Sequence, residues 1–313
     1  MKNNTKKEKR MKQRRFPKKV RRFMVGSLIF ALWFAYGYTH PLQAEASGQE
    51  VCNECHEEVV AKFQTSFHGK AWVGMGKSSG CQSCHGSANK HKEDPSSATI
   101  ITFGKSSLQS ASEQSQRCLA CHSKATNLAL WDMGKHQAND VSCTQCHSIH
   151  KPRNVVNQIE TCTECHRSVR VQINKQSHHP IIEGKVSCSD CHNPHGSMEQ
   201  AMLRADSRNQ LCYNCHAEKR GPFIWEHPPV EENCGVCHEP HGSRHNKLMT
   251  EKVPNLCQNC HDWTRHPSTA YDNTDSFTQG SPNRTFIGRA CLNCHPNIHG
   301  SNAGGTNGMR FTH

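Results

Sequence analysis

Ten times along this chain a cysteine is followed three residues later by a second cysteine and then at once by a histidine. The first five copies are Cys52/Cys55/His56, Cys81/Cys84/His85, Cys118/Cys121/His122, Cys143/Cys146/His147 and Cys162/Cys165/His166. The second five are Cys188/Cys191/His192, Cys212/Cys215/His216, Cys234/Cys237/His238, Cys257/Cys260/His261 and Cys291/Cys294/His295. All 20 cysteines are used and none is left over. Two thiols at this spacing can form thioethers with the two vinyl groups of one haem, and the adjoining histidine is then held beneath the iron as its proximal ligand. The pattern therefore predicts ten covalently attached c-type haems.

Two other chemistries use paired cysteines. Zinc ribbons also contain C-x-x-C, but zinc has no need of a histidine directly after the second cysteine. With 24 histidines in 313 residues, ten such placements by chance come to on the order of one in 10¹¹. Disulfides or redox-active C-x-x-C pairs would likewise leave the ten histidines unexplained.

Each iron needs a second axial ligand, and its identity separates a carrier of electrons from an enzyme with an open iron. Apart from the ten proximal histidines and His40, thirteen remain, and they keep a register. Every even-numbered motif has one histidine upstream, namely His68, His136, His179, His227 and His266, and one downstream, namely His91, His150, His195, His241 and His299. That supplies ten candidates for ten distal positions. The unit that repeats is an upstream histidine, a C-x-x-C-H with a trailing histidine, and a second C-x-x-C-H without one. His179 to His216 and His227 to His261 are its clearest copies. A trailing histidine is poorly placed for the haem beside it, so it is expected to reach a neighbouring haem and staple adjacent units. His91, His299 and His266 depart from the common spacing. His178, His245 and His313 are surplus, expected at the surface or near propionates. The methionines, such as Met75, and Trp72, Trp131, Trp225 and Trp263 are expected to pack on haem edges.

The scaffold that positions these groups must be slight. Only 34% of residues are hydrophobic, and successive motifs start 19 to 37 residues apart, too little for a sheet or helical bundle around each haem. The expected fold class is a multihaem cytochrome c: low secondary structure, with short helices and loops wrapped around a linear chain of ten haems. The tail from Pro296, with Gly300, Gly304, Gly305 and Gly308, is expected to be flexible at its end.

Residues 1–46 read as a cleaved export signal: a basic stretch from Lys2 to Arg22, an apolar run from Phe23 to Tyr38, and Ala44-Glu45-Ala46 as the cleavage site. The apolar run is short of the roughly 20 residues of a spanning helix. Residues 47–166 would then carry haems 1–5 and residues 167–313 haems 6–10 of one continuous wire. The formal charge of +12 lies mostly in the signal. With two ionised propionates per haem the mature protein comes to about −18, which argues against nucleic-acid partners.

The ten motifs, the segment His178 to Gly196, the stretch Leu211 to His227 and the ending C-L-N-C-H-P-N-I-H-G-S resemble the MtrA/DmsE type of decahaem cytochrome. That resemblance implies bis-histidine haems in a staggered wire, seated in an outer-membrane β-barrel porin. It implies as partners periplasmic electron carriers on one side and an extracellular cytochrome, reductase or mineral on the other. The location implied is the periplasm, in association with the outer membrane. The expected function is electron transfer without catalysis. The alternatives are a multihaem reductase or oxidase with one open haem, acting on a substrate such as nitrite or hydroxylamine, and a soluble periplasmic electron carrier.

Overall fold

The computed structural model describes residues 49–74, 80–151, 156–261 and 291–312. The expected export signal, Met75, Trp263, His266 and His313 lie outside them. The chain's contacts divide it into Met1–Ser47 and Gly48–His313, and all ten motifs fall in the second unit.

Short helices joined by loops make up that unit. The longest described helix, Gln49–Thr65, leaves helical geometry at His56. Ala111–His122 runs 12 residues from a capping box between Ser110 and Glu113, and the other described helices have eight residues or fewer. Pairing between strands is confined, among the described residues, to isolated bridges. No described helix is long and apolar enough to cross a membrane. Among the described residues the buried apolar ones are Val60, Phe63, Ala88, Trp131, Ile173 and Ile181, a thin core.

Each motif needs only one helical turn. In motifs four to ten the histidine amide donates to the carbonyl of the first cysteine, at 2.9 Å in the His147–Cys143 pair and 3.0 Å in the His192–Cys188 pair. This closes a turn in which positions i, i+3 and i+4 share a face, so both sulfurs and the imidazole point the same way. Asn157, Ser207 and Asn233 cap the starts of three of these turns through their side-chain oxygens.

Polar clamps join the third, fifth and seventh motifs to the even ones after them. Gln114, one turn before Cys118, accepts from the Ser142 and Thr144 hydroxyls beside Cys143. Gln158 exchanges two 2.9 Å bonds with Ser189. Buried Asn209 donates to the Val230 and Glu231 carbonyls and accepts from the Cys234 amide at 2.8 Å.

A second kind of junction joins even units. Ser177 and Ser243 exchange backbone hydrogen bonds of 3.1 and 2.7 Å, and Trp225 and Ser301 exchange two of 2.9 Å. Each bridge sets the strand before an upstream histidine against the one after a trailing histidine. The glycine following the trailing histidine makes this approach possible. Gly242, at φ +157°, would put a Cβ 2.0 Å from the Gln172 carbonyl, and Gly196, at φ +125°, one 2.1 Å from that of Leu130. Only glycine fits such a conformation at such a distance.

The tail corrects an expectation. Instead of hanging free, it closes the last junction: Gly305–Met309 is helical, the Trp225 indole donates to the Ala303 carbonyl at 3.0 Å, and Phe311 packs 5.4 Å from the His227 ring. Glycines here serve close packing, with Gly308 against the Trp225 ring. Trp225 is thus committed to holding the tail.

Candidate haem sites

The local turns present the proximal imidazoles, and loops from other units bring a second imidazole to face nine of them. The trailing histidines reach backward. His91 faces His56 at 6.2 Å between ring centroids, His150 faces His85 at 6.1 Å, and His195 faces His147 at 6.0 Å. His241 faces His192 at 6.0 Å and His299 faces His238 at 6.1 Å. The upstream histidines reach forward: His68 faces His122 at 5.9 Å, His136 faces His166 at 6.1 Å, His179 faces His216 at 6.3 Å and His227 faces His261 at 6.2 Å. No trailing histidine faces the proximal histidine of its own motif. His266, the tenth candidate, lies outside the described residues.

These spacings fit one iron. Two imidazoles bonding a metal through single nitrogens at about 2 Å each place their centroids roughly 6 Å apart. The two thiols one turn from each proximal ring complete the attachment set, so the residues present fit a c-type haem. Among the described residues no three His, Cys, Asp or Glu side chains converge to hold a bare metal ion.

The thiols also fix the order of the sites. Cys81 lies against Cys52, Cys118 against Cys143, Cys162 against Cys188, Cys212 against Cys234, and Cys257 against Cys291. Second cysteines meet at the alternate junctions: Cys84 is within electrostatic reach of Cys121, Cys146 of Cys165, Cys191 of Cys215, and Cys237 of Cys260. Each inner motif thus touches its predecessor through one cysteine and its successor through the other, in sequence order from the first to the tenth. Burial, followed by the neighbouring thiol, pushes Cys81 up to about 11 and Cys162 up to about 12.

Cys55 and Cys294 stand outside this alternation. They are the second cysteines of the first and last of the ten motifs. Both are exposed. The local turn is nonetheless kept. Cys55 lies within the helix Gln49–Thr65 that also carries Cys52, and the Cys294 amide donates to the Cys291 carbonyl at 3.1 Å. Each therefore has the spacing that haem attachment requires, and an exposed sulfur is open to the vinyl group it would bond.

Hydrogen bonds orient the rings. The Nδ1 of His136 pairs with the Pro194 carbonyl at 2.9 Å and that of His179 with the Pro240 carbonyl at 2.5 Å. His91 is held by the Ser96 carbonyl at 3.0 Å and His241 by the Gln172 side-chain oxygen at 3.1 Å. The His227 Nδ1 is buried and faces the Ile298 backbone without a close bond. Such partners leave Nε2 free to bind metal. Burial pushes His68, His150, His195, His227, His241 and His299 below the usual imidazole range. This favours the neutral ring that a metal requires. His178, by contrast, has both nitrogens engaged, Nδ1 with the Lys175 carbonyl at 2.6 Å and Nε2 with Glu183 at 3.0 Å.

Comparison with known proteins agrees with this geometry. The family described as doubled CXXCH motif matches residues 178–221 and 227–266, and that described as cytochrome c-type protein NrfB-like matches residues 81–160. The chain is 42% identical over 264 residues to multiheme cytochrome MtrA of Shewanella baltica (strain OS185), covering 82% of this chain and 79% of that protein. The chain belongs to the MtrA family of multihaem cytochromes.

As an MtrA-family member it is a multihaem c-type cytochrome that works in electron transport, with haem bound covalently through its C-x-x-C-H motifs. The fold of short helices and loops is the one expected for that class.

Sequence reasoning did not pick out the groups that aim the proximal rings. The Nδ1 of His85 pairs with the Ile101 carbonyl at 2.8 Å, that of His192 with Ala201 at 2.8 Å, that of His238 with Lys247 at 2.9 Å and that of His295 with Arg310 at 2.6 Å. The signal that could have found two of them is a common offset of nine residues in two copies of the repeat. Backbone carbonyls leave no mark in a single residue type.

Proposed function

We propose that this chain carries ten c-type haems, each held between two imidazoles, and conducts electrons across the outer membrane inside a β-barrel porin. Periplasmic carriers would meet one end, and an extracellular cytochrome, reductase or mineral the other. The observation that best supports conduction is the run of adjoining cysteines, which sets ten attachment points next to one another in sequence order.

When bound, haem supplies a reversible one-electron iron couple. The chain's own residues do the rest. C-x-x-C-H turns fix the attachment edge and the proximal ring. The twenty histidines named as proximal and distal candidates would hold the irons, with His266 serving His295 as the tenth pair. An imidazole facing nine of the ten proximal rings, with a tenth candidate in the sequence, suits a carrier better than an enzyme, which needs an exchangeable position on one iron. Residues 1–46 act as the export signal, and residues 47–166 and 167–313 carry five sites each.

The test is low-temperature EPR with iron counted by mass on the matured protein, followed by reconstitution with its porin in liposomes holding a reducible dye. Ten low-spin irons and dye reduction by an external donor only when porin and cytochrome are both present are expected. A high-spin fraction near one iron in ten would overturn the ligand assignment. Full low-spin occupancy without transfer would overturn the conduit.

A further inference from the structure

The two clearest repeats contain the same unusual backbone feature. Ala201 and Met202 sit at φ +57° and +54°, and Lys247 and Leu248 at +60° and +59°. L-residues visit this left-handed region singly and rarely, and here two in succession do so without a glycine. Neighbouring bonds hold the kink in place. The Asn193 amide donates to the Met202 carbonyl at 2.8 Å and the Glu239 amide to that of Leu248 at 2.7 Å. Arg204 and Thr250 donate to the Cys191 and Cys237 carbonyls at 3.0 and 2.9 Å. Ser197 and Ser243 close the loop through the Leu203 and Met249 carbonyls.

The kink has one output toward the site. It turns the Ala201 carbonyl onto the Nδ1 of His192 and the Lys247 carbonyl onto the Nδ1 of His238, at 2.8 and 2.9 Å. The proximal rings of the odd motifs differ. His56, His122, His166, His216 and His261 are exposed, and among the described residues none has a backbone carbonyl on Nδ1. The Nδ1 of His216 has the Glu218 carboxylate 3.9 Å away.

We propose that the left-handed pairs Ala201-Met202 and Lys247-Leu248 are redox-tuning elements: each locks a backbone carbonyl onto a proximal imidazole, makes that ring a stronger donor, and lowers the potential of its site. The proposal rests on the reading that these imidazoles bind iron. A hydrogen bond accepted from Nδ1 raises the basicity of a histidine ligand, and a more basic ligand stabilises the ferric state. Ala201 and Lys247 are therefore positioning residues that act through His192 and His238.

Backbone variants test this. Ala201→Gly keeps the left-handed conformation available, whereas Ala201→Val disfavours it. Lys247→Gly and Lys247→Val form a second pair in which both members lose the same charge, so their difference isolates the backbone. Each matured variant is titrated potentiometrically with iron counted by mass and spin state read by EPR. Each valine variant should raise one site's potential by a tenfold change in its reduction equilibrium, or about 59 mV for one electron, relative to its glycine partner. Exchange of the Nδ1 protons of His192 and His238, followed by NMR in the wild-type holoprotein, is a second readout that needs no variant. Protected protons are expected, and rapid exchange overturns the proposal. Ten low-spin irons with unmoved potentials also overturn it, whereas missing or high-spin iron in the wild type strikes the ligand assignment instead.

Discussion

His192 and His241 face each other with ring centroids 6.0 Å apart and planes tilted by 30°, although each stands beside a different pair of cysteines. Their contact joins two repeats, with the Gln172 side chain holding His241 from behind at 3.1 Å. His241→Met should leave ten haems attached but give the His192 site a thioether ligand. That site's potential should rise while the haem on Cys234 and Cys237 keeps its spectrum. Magnetic circular dichroism and potentiometry would check this; a change at the His238 site instead would refute the pairing.

Ring orientation predicts two spectroscopic classes. The planes of His56 and His91, His85 and His150, and His238 and His299 lie within 15° of parallel. Those of His68 and His122, His136 and His166, and His179 and His216 cross at 64°, 69° and 52°. Parallel imidazoles split the iron dπ orbitals, whereas crossed ones leave them nearly degenerate. EPR of the ferric protein should therefore show ordinary rhombic low-spin signals together with a highly anisotropic set. Replacing His68 should remove intensity from the anisotropic set only.

The neighbours His178 and His179 should differ sharply. His178 has both nitrogens occupied, so His178→Ala should retain every low-spin iron. His179→Ala should produce one high-spin iron, at the site of His216. Spin counting on the two purified variants measures the contrast.

Two substitutions probe the junctions. Asn209→Leu removes the acceptor of the Cys234 amide and the donor to two carbonyls, leaving partly buried polar groups unpaired at a total cost of about 1–3 kcal/mol. Gly242→Ala forces a Cβ toward the Gln172 carbonyl in a strained conformation, at about 1–3 kcal/mol. Both should lower the midpoint of thermal unfolding of the holoprotein, whereas Gly304→Ala, which meets nothing within 4 Å, should not.

Much of the site was legible because its chemistry depends on residue type at fixed short spacing. Cys188, Cys191 and His192 declare themselves within five letters, and one helical turn suffices to converge them. The partner of His192 is another matter, since His241 arrives only after Gly242 lets its strand press against Gln172. That approach depends on folding across repeats, so spacing could nominate His241 without saying which iron it serves. The same local identity hid which cysteine of a motif faces which neighbour: Cys52 and Cys55 share their letters with the rest, and only folding sets Cys52 against Cys81. Loops dense in glycine misled the reading of the tail, where Gly308 provides room for Trp225 instead of mobility. The carbonyls of Ala201 and Lys247 were hidden for another reason: backbone groups are common to all residues, and nothing in alanine or lysine announces a left-handed kink.

The facing pairs also determine where the chain can be cut. His147 and His195 span the boundary between residues 166 and 167, His192 and His241 span the interval after motif seven, and His238 and His299 span the one after motif nine. Every interval between consecutive motifs is crossed by at least one pair. A shorter conductor cannot be made by trimming, because a stop at any interval strands an imidazole whose partner has yet to be synthesised. A nascent chain would likewise stay incomplete at its leading sites until later segments emerged, so assembly is self-checking: the nine facing pairs are all satisfied only once the chain has been made through His299.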